Sequence, residues 1–178
     1  VALCACEPTG PAWLDRPVVV SEASAEDHER LERYWTDCRG DQARGCSALA
    51  ACYHQGLGVA IDEPRALALY ERACELGRSC STAGYFHQHG VGTAVDPGTA
   101  VARYHQACAL DDPQGCSNLG VAYQRAVGVE VDLVAARTHF TRGCELGVAE
   151  SCVNIGYLWQ QGEGGERDAE RALHFYGR

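Results

Sequence analysis

The sequence predicts an all-α solenoid made of two-helix units, and three sets of recurring positions predict it. The first is cysteine. Cys46, Cys80, Cys116 and Cys152 follow one another at steps of 34, 36 and 36 residues, and Cys38, Cys74, Cys108 and Cys144 at 36, 34 and 36. A period in the middle thirties is that of stacked helical hairpins. In the second set, Ala66, Ala100, Ala136 and Ala172 are each followed four residues later by an aromatic, Tyr70, Tyr104, Phe140 or Tyr176. Residues four apart share one helix face. The third set is Asp62, Asp96, Asp132 and Asp168, each just ahead of an alanine-rich run. Aspartate there caps a helix, because its carboxylate accepts from N–H groups that have no partner within the first turn.

The elements follow in order. Residues 1–23 lack the period, and ACEPTGPAWLDRP is rich in proline and turn formers. This stretch reads as an extended leader lying on a solenoid that occupies 24–178. An entry helix spans 24–38. Ser24 with Asp27 resembles a capping box there, and Tyr34 precedes Cys38 by four residues, as the later aromatics precede their cysteines. Helix 41–55 opens the first repeat. Helix 63–76 contains strong helix formers, with Pro64 in the first turn, where a missing N–H costs nothing. Further helices lie at 79–89, 97–110, 113–126, 133–146, 149–161 and 168–177, with Pro97 placed as Pro64 is. Gly77 and Gly147 follow helical runs in the position that favours a left-handed residue. Gly84, Gly120 and Gly156 fall inside helices, where each costs up to about 1 kcal/mol against alanine. A position that takes this cost three times is one where helices approach closely. The connectors GLGVAID, GVGTAVD and VGVEVD are not phosphate-binding loops, because the chain contains no lysine.

The cysteines pair by position as Cys38–Cys46, Cys74–Cys80, Cys108–Cys116 and Cys144–Cys152, with Cys74–Cys80 two residues shorter than the rest. The first of each pair ends a helix and the second lies in the first turns of its antiparallel neighbour, within reach of the roughly 5–6 Å Cα separation of a disulfide. Zinc would need pairs that converge in fours, and these lie one repeat apart along a rod. Eleven cysteines in 178 residues fit an oxidising, extracytoplasmic compartment, periplasmic, secreted or at the cell surface. Cys4, Cys6 and Cys52 are left over. Cys52 shares a column with Phe86, Ala122 and Leu158. It reads either as a buried thiol in place of an apolar side chain or as a bridge to Cys4 or Cys6 that pins the leader. Leu3-Cys4-Ala5-Cys6 also resembles a lipid-attachment sequence with Cys6 acylated. That, or a partner, is the route to membrane association read here. A Cys4-x-Cys6 metal claw lacks further ligands.

The pattern GCSNLGVAYQRAVGVEVDLVAARTHFTRGCELG resembles the Sel-one-like repeat, a relative of the tetratricopeptide repeat. The cysteine columns make it most similar to the cysteine-rich branch typified by the Helicobacter cysteine-rich proteins. The resemblance covers roughly 38–178. It implies a right-handed α/α superhelix of about four repeats with an N-terminal capping helix and a disulfide tying neighbouring helices at each junction. It implies protein-binding or adaptor roles, with penicillin binding or weak β-lactamase activity in a few members. The short junction CELGRSC departs from the pattern, and the chain stops at Arg178 before a further cysteine could appear.

Composition limits the function classes. The net charge is −9, which disfavours nucleic acid or an anionic lipid surface as partner. No apolar run is long enough to span a bilayer. Methionine is absent, even at position 1, which reads as a processed or trimmed chain. His87 and His89 point about 200° apart on a helix and do not share a metal. No cofactor, metal or catalytic constellation is read. What remains is a surface. The resemblance implies that the first helix of each unit lines a concave groove, with Tyr53, His87, Tyr123 and Trp159 as the ring column. Beside it lie His54, Gln88, Gln124 and Gln160, then Gln55, His89, Arg125 and Gln161. Rings with amides suit a protein or extended peptide; inter-repeat core is the other reading of Tyr123 and Trp159. A structural subunit of a larger surface assembly is the alternative function. Serine β-lactamase chemistry requires Ser-x-x-Lys. The purified protein is therefore expected to turn over β-lactams no faster than a denatured control, and saturable hydrolysis abolished by replacing one Ser or His would contradict the non-enzyme reading.

Overall fold

The computed structural model describes residues 15–21 and 23–178; Cys4 and Cys6, with the readings placed on them, lie outside this range. Among the described residues there are nine α-helices and no β-strand: α1 (Ala25–Arg39), α2 (Ala43–Gln55), α3 (Glu63–Glu75), α4 (Cys80–His89), α5 (Pro97–Ala109), α6 (Pro113–Arg125), α7 (Leu133–Glu145), α8 (Ala149–Gln161) and α9 (Ala169–Tyr176). The all-α solenoid class read from the sequence is the class observed. After the entry helix α1, the pairs α2/α3, α4/α5, α6/α7 and α8/α9 are the repeats, with A and B denoting the first and second helix of each. The chain forms two compact units. One holds α1 to α3 and the Val91–Thr93 loop; the other holds Ser79–Gly90 and Ala94–Arg178, with α4 to α9.

Side-chain caps start α1, α3, α5, α6, α7 and α9. Ser24 Oγ accepts from the Asp27 N–H at 3.1 Å while the Asp27 carboxylate accepts from the Ser24 N–H at 3.0 Å, a complete capping box. Asp62, Asp96, Asp132 and Asp168 accept from the N–H of Arg65, Thr99, Ala135 and Arg171 at 2.9–3.0 Å. The same aspartates donate their own N–H to the carbonyls of Tyr53, His87, Tyr123 and Trp159 at 2.8–3.1 Å. Each A–B loop is thereby tied back to the A helix it leaves.

In the first unit, Leu31, Leu49, Ala66 and Leu69 are buried between α1, α2 and α3. Residues 15–21 lie against this unit: Val19 bridges Val59, and the Val20 N–H donates to the Gly58 carbonyl at 3.0 Å. In the second unit the core forms two successive clusters. Ala100, Val101, Tyr104, Leu119 and Ala122 make one, and Ala136, Phe140, Cys144, Cys152, Ile155 and Leu158 the next. Here α4 touches α6 and α6 touches α8, whereas α5, α7 and α9 do not approach one another as closely. The A helices are the inner layer of this unit. Gly84, Gly120 and Gly156 face the rings of Tyr104, Phe140 and Tyr176. A β-carbon at any of the three would stand 2.6 Å from a ring carbon. At Gly84 and Gly120 the helical penalty is offset by seating a buried aromatic against bare backbone; Tyr176, against Gly156, is exposed.

The disulfides Cys38–Cys46, Cys108–Cys116 and Cys144–Cys152 join their helices at Cα separations of 4.5, 4.5 and 4.6 Å. Cys74 and Cys80 are disulfide-bonded as well. The residue just before each bridged cysteine shows how close these helices come. A β-carbon on Gly45 would lie 2.4 Å from that of Asp37, and one on Gly115 would lie 2.3 Å from that of Ala107. At the last junction the roles reverse, and a β-carbon on Gly143 would lie 3.1 Å from that of Ser151. In each of these three pairs one residue is glycine, whereas Ala73 and Ser79 precede Cys74 and Cys80. The shortened segment before Cys80 has a different consequence. Helices α2, α6 and α8 begin three residues ahead of their cysteine, but α4 begins at Cys80 itself, behind a left-handed Ser79 (φ 63°). Losing two residues removes the first turn.

Two stability outcomes follow from the junctions. Gly115→Ala is expected to cost about 1–3 kcal/mol by overpacking, despite alanine's better helix propensity, and adding Ala107→Gly should recover part of that loss. Denaturant melts of the single and double variants check this, and independent effects would contradict the contact. Replacing Cys108 and Cys116 by serine should cost roughly 2–3 kcal/mol, the loop-entropy value for so short a bridge.

Candidate functional site

Helical phase decides which columns can meet a partner. Seven residues past a junction cysteine is about 700°, which returns nearly to the cysteine's own direction. That direction faces the B helices, since the cysteine is bonded to one. The ring column lies there. Tyr53 is buried, with the Arg65 guanidinium 4.8 Å from its ring centroid. Tyr123 hydrogen-bonds through its hydroxyl to His105 Nε2 at 3.0 Å and stacks parallel to His139 at 5.5 Å. His105 belongs to α5 and His139 to α7, both B helices. Trp159 carries Arg137 of α7 at 3.9 Å and Arg171 of α9 at 4.5 Å. Of the two readings open for them, Tyr123 and Trp159 therefore do not line the inner groove; they fill the space between successive B helices.

The amide column is turned toward the same layer. Gln88 Oε1 accepts from the Tyr104 hydroxyl at 2.9 Å, and Gln160 Oε1 accepts from Tyr176 at 2.9 Å. Burial, with a smaller contribution from Tyr85, pushes the Tyr104 phenol up to about 12, which keeps it a donor. In the third repeat the aromatic is Phe140, which has no hydroxyl, and Gln124 makes no side-chain hydrogen bond to a described residue. His54 Nδ1 meets the Glu63 carboxylate at 2.8 Å.

The opposite face of the A helices carries a column that the sequence reading missed. Five residues past the cysteine is about 140°, and nine is about 180°. Tyr85 and Tyr157 are 49% and 46% exposed, with half-buried Val121 between them in the column. One helical turn on, His89, Arg125 and Gln161 are exposed. The Tyr85 and His89 rings stack at 4.0 Å. The cysteine column contained the phase needed to find this face.

Among the described residues no group of three His, Cys, Asp or Glu could hold a metal ion. No helix there is long and apolar enough to cross a membrane. Cys52 is a buried free thiol, pushed up by burial against the opposing pull of Arg30. His139 is held below the ordinary imidazole value of about 6.5, first by burial and then by His105, with Asp132 opposing. A base with a depressed folded pKa leaves the unfolded chain holding more protons as pH falls below 6.5, so stability drops there. The melting temperature is expected to fall from pH 7 to pH 5, and the fall should be smaller in His139→Gln. An NMR titration placing His139 above 6.5 would contradict this.

The family model for the Sel1 repeat matches residues 43–77, 80–112, 113–148 and 149–178. No curated protein matches the sequence. Solved structures of similar fold include the Sel1 repeat protein from Oxalobacter formigenes, at 24% identity and TM-score 0.79, covering 85% of this chain and 63% of that one. Another is c5321, a protective antigen of uropathogenic Escherichia coli with an SLR fold, at 25% identity and TM-score 0.78, covering 83% of this chain and 32% of that one. A third is Helicobacter pylori cysteine rich protein B, at 26% identity and TM-score 0.57, covering 71% and 92%. The chain thus spans less than two thirds of the first two. The matched segments coincide with the four helix pairs and run from α2 to the last residue, and the chain belongs to the Sel1 repeat family.

Proposed function

We propose that the protein is a non-catalytic, extracytoplasmic scaffold that binds a protein or extended peptide on the inner A-helix face of α4, α6 and α8. The ladder Tyr85, Val121, Tyr157 carries this reading: one apolar or aromatic residue per repeat, with both tyrosines about half exposed. Tyrosine supplies large amphipathic contact area, which is why it recurs at binding hot spots. The ladder stands on helices fixed by disulfides and close glycine contacts, so little freedom remains to be lost on binding. Sel1 repeats generally mediate protein interactions, which supports the scaffold class. The disulfides, and the likeness to a cysteine-rich neighbour, support an oxidising compartment.

Peptides selected from a displayed random library on the native protein provide the test. The double variant Tyr85→Ser, Tyr157→Ser should bind them at least tenfold more weakly while its stability stays within about 0.5 kcal/mol, as for other exposed substitutions. Gln88→Ala should do the opposite, because it strands the buried Tyr104 hydroxyl at a cost of about 1–3 kcal/mol. Selected peptides that bind the double serine variant normally would move the site off the A-helix face.

A further inference from the structure

The ring column holds a second feature, on the B-helix side and independent of the tyrosine ladder. A cleft of about 710 Å³ lies between α7 and α9, lined by Trp159 of α8, by Arg137 and Arg142 of α7, and by Arg171 and His174 of α9. Glu145 is the carboxylate along its wall, and it faces Arg142 at 3.6 Å. Arg142 and Arg171 are further paired with Asp111 and Asp168. Arg137 is not so paired. Only 8% exposed, it donates from Nη2 to the carbonyls of Leu158 and Glu166 at 3.0 and 3.1 Å, and it meets no carboxylate among the described residues. Its Nε and the Trp159 Nε1 are both buried with no acceptor among the described residues. Two guanidinium groups thus share one indole in a chain of net charge −9. A buried charge without a counter-charge and two buried donors without acceptors are each costly. Burial and the nearby Arg171 also hold the Arg137 pKa below its usual value, in keeping with a missing anion.

The repeats themselves show what answers this arrangement. One repeat earlier, the equivalent space holds His105, Tyr123 and His139: Tyr123 stacks on His139, and His105 lies edge-on to both and meets the Tyr123 hydroxyl. In the first repeat, Tyr53 occupies the Trp159 column and Arg65 the Arg171 column, each three residues past its capping aspartate. There the pair is covered by the chain's own extended segment, which meets Arg65 through its Nη2 and leaves the Tyr53 hydroxyl and the Arg65 Nε without a partner among the described residues. The Arg65 Nη2 donates to the Asp15 carbonyl at 3.0 Å and lies 3.9 Å from the Asp15 carboxylate.

We infer that the α7/α9 cleft is a carboxylate-binding site that takes an extended peptide bearing an aspartate or glutamate side chain, seated on Trp159 and Arg171 as residues 15–21, with Asp15, are seated on Tyr53 and Arg65. The carboxylate supplies the anion absent beside Arg137 and a further partner for Arg171, which already meets Asp168. The peptide's apolar atoms cover the indole.

The test uses the intact chain and an acetylated peptide of residues 15–21, read by NMR at the Trp159 indole N–H. Saturable shifts are expected there. The same peptide with Asp15→Asn should bind at least tenfold more weakly, as should the native peptide to Arg171→Gln, whose exposed position spares the fold. The Tyr85→Ser, Tyr157→Ser protein should bind the peptide normally, which separates this site from the ladder. Sodium acetate run in parallel distinguishes sources: weak binding supports the peptide, and binding as tight as the peptide's supports a small organic acid held by the same groups. No movement of the Trp159 signal with either carboxylate, or equal binding of the native and Asp15→Asn peptides, overturns the proposal.

Discussion

The close approach of two helices at each bridged junction is the constraint on which the rest depends. A Cα separation of 4.5 Å across the Cys38–Cys46 and Cys108–Cys116 bonds leaves room for one β-carbon, not two, at the preceding position. Hence Gly45 opposes Asp37, Gly115 opposes Ala107, and Gly143 opposes Ser151. The bond and the glycine act together: one fixes the distance, the other makes it sterically allowed. Once the junction is set, the rotation of each A helix is set too, because the cysteine must point at the preceding B helix. Every other column then follows at 100° per residue. Gly84, Gly120 and Gly156 fall against the aromatic of their own repeat, and Phe86, Ala122 and Leu158 fall into the core.

A second consequence is the division of labour among polar groups. In a two-layer stack, the side chains most exposed to misassignment are those at the edge between layers. Gln88 and Gln160 look like solvated amides along the sequence, yet each accepts from a core-column phenol of the B helix. Tyr104 needs an acceptor because burial leaves its hydroxyl little water, whereas Tyr176 makes the same bond at an exposed position. The third repeat resolves the same need by deletion: Phe140 removes the hydroxyl. Polar and apolar solutions to one position coexist in one chain.

Much of the fold was legible in the sequence because its determinants are local and periodic. Helix positions, aspartate caps, the capping box at Ser24 and the cysteine pairs all depend on residues within a turn or a short loop of each other. The binding face was not legible in the same way. The sequence reading left Tyr123 and Trp159 open between groove and inter-repeat core, without tracing their angle from the cysteine, and that angle places them toward His139 and Arg137. The Gly143–Ser151 reversal was hidden for another reason. It is a correlation between two columns eight residues apart, in which neither column alone is constant. The lost first turn of α4 was foreseen in kind, because a shorter loop must shift the start of the helix it enters.

Repetition also clarifies how one scaffold carries unlike surfaces. The position seven residues past the junction cysteine recurs along the sequence, and in α6 and α8 its surroundings are built from the faces of two successive B helices. What fills it changes: Tyr53 with Arg65 and Asp15, Tyr123 with two imidazoles, Trp159 with two guanidinium groups. The first is covered by the segment of the same chain that carries Asp15, and the second is filled by ring contacts within the unit. The third carries cationic groups and unanswered donors on its indole. Since the position in the repeat is shared, the difference among the three lies in side-chain chemistry. That is how a stack of near-identical helical pairs acquires a specific place for a ligand without departing from its repeat.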